Sequence, residues 1–489
     1  RPEFDPYGSN DVPEDTTAHW KAPLASSPVV GSLQIPGSKS LTNRELRKKI
    51  MQASLLKANR PNENDNKPVL LQMVKLRAER AKLFGKETHA EHVIAVQTAE
   101  HPDNVHAMLR KIAPAAVRNA KAEAEDLKKS AGTDIESWDW GFYTEKVRLE
   151  KYNIDTTKMR PYFELERVLH DGVFFAANKL FGITFKERPD LVTYHPEARA
   201  FEVNNEDGSK VGLFIGDFYT RDSKRGGAWM DDVRARWLRP DNHQLQTPVA
   251  HLVCNFAEGV NGQPALLTHD DVITLFHEFG HGLHHMLTQV NERDVSGISG
   301  VEWDAVELPS QFMENFCWEW SVLSHMTAHV DTGEPLPRAL FDKMLAAKNF
   351  QSGLQTLRQI EFALFDMRLH AEHDPALDFM PLLHQVRAEV AVLQPPSFNR
   401  MAHTFSHIFS GGYAAGYYSY KWAEVLSADA YAAFEETADA QGQPSLETGR
   451  RYRQAILEAG GSRPALESFK AFRGREPNLD ALLRHQGMA

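Results

Sequence analysis

The 489-residue chain contains only two cysteines, Cys254 and Cys317, which excludes a disulfide framework. It lacks any run of about eighteen apolar residues, and its mean hydropathy of −0.45 argues against a membrane span. The formal charge of −11 disfavours nucleic acid as a partner, because phosphate binding needs a basic surface. No signal peptide is visible, and a reducing, cytoplasmic location is the simplest expectation.

The first 42 residues are rich in Pro, Ser, Gly and Asp and predict an arm or linker without periodic structure. The string PGSKS at 36–40, with Asn43 and Arg44 after it, resembles the anion-binding loop near the start of enolpyruvyl transferases. That family is built from repeated βαβ-like units, which the helical pattern of the remaining chain opposes. A chance match is therefore favoured, and the transferase is kept only as an alternative.

Periodicity divides the remaining chain into two regions. Residues 43–191 show helical spacing and predict a helical lobe segment. Residues 192–489 make up the second region, which is expected to be the catalytic one because it contains the string HEFGH at 277–281. It is predicted to contain a small antiparallel sheet at 193–255, metal-binding helices at 268–320 and C-terminal helices at 335–489. Apolar runs at 200–203, 211–215 and 249–254 predict its strands, and the polar turn 204–208 joins the first two.

A helix with metal-ligand spacing is predicted to begin at Thr268, because acidic residues follow in its first turn. Its apolar stripe comprises Val272, Leu275, Phe276, Phe279, Leu283, Met286 and Leu287. His277 and His281 lie off that stripe, four residues apart, so their imidazoles project from adjacent turns. Glu278 follows the first histidine and is placed to reach water on a shared ion. This HExxH pattern is typical of zinc peptidases, although an isolated histidine pair is more often structural.

A third ligand is expected downstream, since a catalytic zinc needs three protein ligands and one open position. Glu307, Gln311 and Glu314 share one face of a predicted helix, among aromatic residues that indicate burial. A buried carboxylate needs a partner, and a metal ion is a suitable one. We therefore predict Glu307 as the third ligand, and Asp304 and Glu314 as partners of the ligand histidines.

A tyrosine-rich segment follows His407 and a pair of glycines. Tyr413, Tyr417 and Tyr420 have the spacing i, i+4 and i+7, so a helix would align three phenols on one face. Aromatic core packing is the commoner meaning of such a stripe. Phenol donors can also stabilise the oxyanion of peptide hydrolysis, which makes these tyrosines candidate site residues.

These segments together resemble the thimet-oligopeptidase family of zinc peptidases. The resemblance is carried by 277–286, the string SGISG at 296–300, 303–318, 342–349, 365–370 and 472–477, and it extends from about Asn43 to the end. The bacterial oligopeptidase branch is the most similar, whereas 160–185 is nearer to the peptidyl-dipeptidase branch. The family implies a mainly helical, zincin-like fold, with a small antiparallel sheet beside the active-site helix and two lobes around a deep channel. Family members carry a long helical segment ahead of Asn43 that the first forty-odd residues do not match.

The resemblance also implies roles for individual residues. His277, His281 and Glu307 would hold one zinc ion per chain, with Glu278 as the general base. His407, Tyr413 and Tyr420 would contact the substrate or transition state, and Tyr417 is placed with the substrate-binding residues. Gly227 and Ala228 would lie on a strand edge that pairs with the substrate backbone. The expected partners are short peptides, with no nucleic acid or membrane, and the chain is expected to be a monomer.

Two alternatives stay open within this family. The enzyme either cuts peptides internally or releases C-terminal dipeptides, as the sister branch does. A non-catalytic peptide-binding relative is opposed by the intact Glu278, because zinc binding alone does not require that residue. Arg473 and Arg475 would suit a terminal carboxylate, but solvated arginines are the favoured interpretation.

Overall fold

The computed structural model describes residues 41–59, 61–155, 158–260, 262–440 and 442–489. Most of the predicted arm at 1–42, including the PGSKS string, lies outside the described residues. Asn43 and Arg44 are described, and both side chains have partners within the protein. Asn43 accepts a hydrogen bond from the Leu46 N–H at 3.1 Å, and Arg44 forms an ion pair with Asp139 at 2.7 Å.

Helices dominate the described chain, as the sequence predicts. The α-helices are Arg44–Leu55, Lys67–Leu83, His89–Ile94, Pro102–Ala131, Ser137–Tyr152, Leu165–Arg167, Phe175–Phe181, His269–Met286, Leu308–Glu314, Trp320–Met326, Arg338–Ala347, Ser352–Ala371, Met380–Val390, Ser406–Phe409, Ser419–Thr437, Leu446–Tyr452, Ala465–Arg473 and Asp480–His485. Short 3-10 segments occur at Arg160–Tyr162, Arg293–Val295, Asn315–Trp318 and Met401–Thr404, and π-helical segments at Val168–Phe174 and Arg453–Leu457. Within the described ranges, no helix has both the length and the apolar composition needed to cross a membrane.

The strands are β1 (Ile183–Glu187), β2 (Arg199–Asn205), β3 (Lys210–Tyr219), β4 (Trp229–Arg234), β5 (Trp237–Leu238), β6 (Leu245–Gln246) and β7 (Val249–Phe256). Five of them form a sheet in the order β1-β2-β3-β7-β4, and β5 pairs with β6. The small sheet is confirmed, but it is mixed rather than wholly antiparallel, because β3 and β7 run parallel. It also begins at Ile183, inside the region predicted as helical, because β1 extends the β2–β3 hairpin by one antiparallel strand.

The chain forms two compact units, each assembled from separate stretches. The first unit comprises the described residues up to Ala95, with His101–Asn153 and Phe350–Tyr418. The second comprises Val96–Glu100, Ile154–Asn349 and Ser419–Ala489. This grouping differs from the predicted ranges 43–191 and 192–489, because 350–418 packs with the N-terminal helices and 154–191 with the sheet. The predicted channel between two lobes stays a prediction.

The first unit is built around the helix Ser352–Ala371, which packs against the long helix Pro102–Ala131. Gly353 permits this close contact, since a Cβ there would lie 2.5 Å from the Ala120 nitrogen. Glu123 caps the packed helix from outside, accepting the N–H groups of Gly353 and Leu354 at 3.0 and 2.8 Å. Helix ends leave free donors, so this cap fixes the start of Ser352–Ala371.

The second unit packs the helix His269–Met286 against the sheet through an aromatic core. Phe279 lies 5.4 Å from Phe214 on β3 and 5.7 Å from Phe185 on β1, measured between ring centroids. Phe174 stacks on Phe185 at 4.0 Å and closes the cluster. All the apolar residues predicted for this helix stripe are buried, which confirms the sequence prediction for that face.

The burial of His89 in the first unit leads us to expect that the stability of the protein depends on pH. Its ring is 3% exposed, and both nitrogens lack a hydrogen-bond partner among the described residues. Burial and then the nearby His370 lower the pKa of His89 to about 2. The unfolded chain, with an ordinary histidine pKa near 6.5, therefore takes up this proton first, and stability is lost progressively as the pH falls below about 6.5.

Replacing His89 with leucine is expected to remove that loss. Between pH 7 and pH 5 the free energy of unfolding of the His89→Leu variant should fall by about 2 kcal/mol less than that of the wild type. Urea unfolding at the two pH values measures the difference. An identical pH dependence in both proteins would contradict the buried neutral histidine.

Candidate metal centre

The helix that carries the HExxH pattern begins as the sequence predicts. The Thr268 hydroxyl accepts the Asp271 N–H at 3.1 Å, and the Asp271 carboxylate accepts the Thr268 N–H at 2.8 Å. This reciprocal capping box satisfies two donors that the helix leaves free. The start of the helix is therefore fixed by local chemistry, and His277 and His281 follow in its third and fourth turns.

His277 and His281 face each other across one turn of this helix. Their ring centroids are 5.1 Å apart and the rings are nearly perpendicular, at 85°. Both rings are buried, with 7% and 9% exposed. The Nε2 atoms of both histidines lie 3.2 Å from the same carboxylate oxygen, Glu307 Oε2.

Glu307 reaches the histidines because its helix approaches the HExxH helix closely. Gly280 lies at the contact, where a Cβ would stand 2.5 Å from the Pro309 carbonyl oxygen. Glu307 immediately precedes the helix Leu308–Glu314, which has a proline in its first turn. The Ser310 hydroxyl donates to Glu307 Oε2 at 2.9 Å and fixes the orientation of the carboxylate.

The three residues have the donor set and spacing of a metal site. Their ligand atoms all lie within 4.8 Å of one another, and all three side chains are buried. Two imidazole nitrogens and one carboxylate oxygen match a catalytic zinc site, which keeps a fourth position for water or substrate. The predicted ligand group is therefore brought together by the fold.

A second carboxylate orients the first histidine from behind. Glu314 Oε1 lies 2.7 Å from His277 Nδ1, the ring nitrogen that faces away from Glu307, as the sequence predicts. Asp304 accepts the N–H groups of Thr98 and Ala99 at 3.0 and 2.9 Å. The predicted hydrogen bond from Asp304 to the other ligand histidine is absent, because His281 Nδ1 has no partner among the described residues.

The electrostatics of the group favour a bound positive charge. Burial works to lower the pKa of His277, but hydrogen bonds to Glu307 and Glu314 outweigh it and leave the pKa well above its usual value. Burial works to raise the pKa of Glu307, but His281 and His277 outweigh it and leave the pKa well below its usual value. The surroundings therefore stabilise positive charge beside an ionised carboxylate, which is the condition that a divalent cation needs.

Glu278 is buried beside the ligand group, with 3% of its surface exposed. Burial raises the pKa of its carboxyl group, while His277 and His281 act in the opposite direction. A carboxylate whose pKa is raised by burial is a stronger proton acceptor than an exposed one. This environment suits a general base.

Tyr420, Gly227 and Ala228 lie in the same unit as the metal ligands. Tyr420 is the second residue of the helix Ser419–Thr437, and its carbonyl accepts a hydrogen bond from Gln311 Nε2 at 3.1 Å. Gly227, with φ of 93°, and Ala228 directly precede β4, an edge strand of the sheet. The Gly227 carbonyl accepts the Asn255 side-chain amide at 2.6 Å, which holds the start of this edge.

His407, Tyr413 and Tyr417 lie in the first unit, where the His407 ring packs near both tyrosine rings. The ring of His407 is 6.1 Å from that of Tyr413 and 5.4 Å from that of Tyr417. The predicted helix through the three tyrosines is wrong, because 410–418 forms turns and the helix begins only at Ser419. Ala415 has φ of 52°, which a right-handed helix does not allow.

Arg473 and Arg475 both form ion pairs within the protein. Both contact the buried Asp429, at 3.2 and 2.6 Å, and Arg473 also pairs with Glu436 at 2.8 Å. The expectation of a solvated side chain is wrong for Arg473, which is 7% exposed. These acidic partners already neutralise the two arginines, so neither stands ready for a substrate carboxylate.

The fold and the ligand group together define a zinc-peptidase class: a buried His-His-Glu set on adjoining helices, with a glutamate beside the first histidine. The model of peptidase family M3 matches residues 38–488. The chain belongs to peptidase family M3, which confirms the family and the mainly helical fold expected from the sequence.

Known relatives agree over most of the chain. Oligopeptidase A of Salmonella typhimurium is 46% identical over 98% of this chain and 72% of its own length. The dipeptidyl carboxypeptidase of the same organism is 38% identical over 94% of this chain and 68% of its own length. The solved structure of PZ peptidase A with an inhibitor has a TM-score of 0.57 at 14% identity, covering 91% of this chain and 68% of that one. This last likeness supports the fold alone.

Proposed function

We propose that this chain is a zinc-dependent oligopeptidase that hydrolyses short peptides. The observation that carries the proposal is the convergence of His277, His281 and Glu307 within 4.8 Å, on a chain of family M3. One zinc ion per chain is proposed, since the three ligands make one group. Similarity to oligopeptidase A favours short peptides over folded proteins as substrates.

The chemistry divides between the ion and the protein. Zinc, when bound, supplies a Lewis acid that polarises the scissile carbonyl and makes a water molecule more acidic. His277, His281 and Glu307 fix its position, and Ser310 and Glu314 fix the orientation of two of these ligands. Such outer contacts hold the ligand atoms in place without reorganisation during the reaction.

Glu278 is proposed as the general base. Its carboxylate takes a proton from the attacking water and returns it to the leaving amine. Burial raises the pKa of this group, and the neighbouring His277 and His281 act to lower it. The same residue thereby serves as base and then as acid.

The remaining residues are proposed to hold the peptide and its transition state. Tyr420, Tyr413 and His407 are donors for the oxyanion and the adjoining carbonyl groups, and Tyr417 supports them. The edge strand β4, with Gly227 and Ala228 before it, offers N–H and C=O groups that pair with an extended peptide. An exposed edge accepts different sequences because the contacts are with backbone.

The site of action is proposed to be the cytoplasm, where free thiols such as Cys254 and Cys317 stay reduced. The chain is further proposed to act as a monomer.

Internal cleavage is favoured over release of C-terminal dipeptides, because Arg473 and Arg475 are occupied by Asp429.

The test is cleavage of an internally quenched octapeptide by the zinc-loaded chain, with a free and with an amidated C-terminus. Both peptides should be cut at similar rates, a chelator should stop cleavage, and added zinc should restore it. Cleavage of the free form alone would instead favour the dipeptidyl carboxypeptidase activity. A chain that holds zinc and binds the peptide without cutting it would be the non-catalytic relative.

A further inference from the structure

The turns at 410–418, here called the tyrosine loop, are organised by one buried carboxylate. Three successive N–H groups, those of Ala415, Gly416 and Tyr417, each donate to Asp366 at 2.9 Å. Asp366 lies on the helix Ser352–Ala371 in the same unit and is 0% exposed. Consecutive backbone donors around one anion form a nest, and bonds to an ionised acceptor are stronger than neutral ones.

His370 orients this carboxylate from one turn further along the helix. Its Nδ1 lies 3.0 Å from Asp366 Oδ1 and 2.9 Å from the Asp366 carbonyl oxygen. Its Nε2 lies 3.2 Å from the guanidinium of Arg77. Because a guanidinium only donates, Nε2 must accept, and the ring proton therefore stands on Nδ1, where it donates to Asp366.

Arg77 connects the same network to the other end of the segment. Its second terminal nitrogen donates to the Ile408 carbonyl at 2.7 Å, next to His407 in the chain. Asp366 holds the backbone at 415–417, two residues beyond Tyr413. The stretch that contains His407 and Tyr413 is thus held at both ends by one connected set of side chains.

The loop backbone is strained where it is held. Ala415 has φ of 52°, a left-handed conformation that costs an alanine free energy and persists only when the surroundings enforce it. The adjoining Tyr417 hydroxyl donates to Gln359 at 3.0 Å, on the same helix as Asp366. One rigid helix therefore fixes both the backbone and a side chain of the loop.

We infer that Asp366, oriented by His370 and Arg77, is a positioning residue that sets the geometry of His407 and Tyr413 for the substrate. The inference rests on the proposed peptidase function. Asp366 does not touch the reacting atoms and acts through the loop it holds. Misplacing such donors by about 1 Å is enough to cost up to about 10²-fold in rate.

The principal test is the Asp366→Asn variant of the full chain. An asparagine keeps the shape but presents an NH₂ group to backbone donors, so at least one loop amide loses its acceptor. We expect kcat to fall by about 10- to 100-fold with bound zinc unchanged, and the KM to change less. Hydrogen exchange of a peptide spanning 413–418 should become about tenfold faster.

Glu361→Gln is the matched control. Glu361 lies on the same helix, is equally buried, and pairs with Arg358 and Arg387 instead of the loop. This variant loses a buried charge in the same way and should keep kcat and the loop exchange near wild-type values. Equal kcat losses in both variants would show that Asp366 contributes only to the stability of the fold, and would overturn the inference.

A double-mutant cycle with Tyr413→Phe separates positioning from simple stabilisation. If Asp366 acts through Tyr413, the double variant should lose clearly less activity than the product of the two single losses. Independent, multiplicative losses would contradict the inference. Arg77→Met offers a milder disturbance of the same network, with the same direction of effect, where Asp366→Asn does not fold.

The outcomes also distinguish this inference from the proposed function. A wild-type chain that binds zinc and cleaves no peptide overturns the proposed function and the positioning role together. An active wild type with an equally active Asp366→Asn variant overturns the positioning role alone.

Discussion

Replacing Glu278 with glutamine is expected to lower peptide cleavage by about 10²- to 10⁴-fold while leaving bound zinc unchanged. Glutamine has nearly the same shape but cannot accept a proton, so only the base is removed. The ligand atoms of His277, His281 and Glu307 are unchanged, because Glu278 is not a member of the ligand group. Steady-state kinetics with a quenched peptide and metal analysis of the same sample measure both quantities.

Asp270→Asn provides the control for that experiment. Asp270 is an exposed residue in the first turn of the same helix, two turns before Glu278. Its substitution also replaces a carboxylate with an amide, but at a position away from the metal ligands. It should leave both cleavage and zinc near wild-type values. A Glu278→Gln variant that keeps zinc and also keeps near-wild-type cleavage would show that another group is the base.

The metal helix was predictable because its signals are local. The Thr268 cap, the apolar stripe and the i, i+4 histidines all depend on residues within a few turns, and the structure has each of them. Glu307 lies 26 positions beyond His281, yet it was also predictable, because a carboxylate among aromatic residues needs a buried partner. Chemistry, rather than periodicity, identified this ligand.

The tyrosine loop was not predictable from spacing. The i, i+4, i+7 pattern is correct for a helix, but a helix needs the N–H groups of 415–417 for its own hydrogen bonds. Asp366, which lies 49 residues before Ala415 in the chain, accepts those donors instead. In the sequence, the apolar neighbours Phe365 and Met367 are the signal that Asp366 is buried.

Long-range pairing explains the other differences. The parallel contact between β3 and β7 joins strands separated by the β4–β6 segment, and no local signal sets its direction. Residues 43–191 were predicted as helical, but within the helix Lys67–Leu83 the apolar Val69, Leu76 and Leu83 are exposed, whereas Leu70 and Val74 are buried. Periodicity therefore gave the element, and packing decided which face was covered.

The Glu307→Gln variant is expected to bind zinc more than about 100-fold more weakly than the wild type and to lose cleavage in proportion. The substitution replaces the carboxylate whose oxygen lies 3.2 Å from both ligand histidines, and so removes the negative charge that offsets the ion. Competition with a chromogenic chelator measures the affinity, and circular dichroism confirms that the helices persist.

Glu314→Gln supplies the graded comparison. Glu314 contacts His277 Nδ1 at 2.7 Å but is not one of the three metal ligands. Its loss should therefore weaken zinc binding by about 10- to 100-fold, which is less than the loss of Glu307. Excess zinc should restore cleavage in Glu314→Gln more completely than in Glu307→Gln, because only the former keeps all three ligands. The reverse order of affinities would exchange the roles of the two glutamates and make Glu314 the ligand.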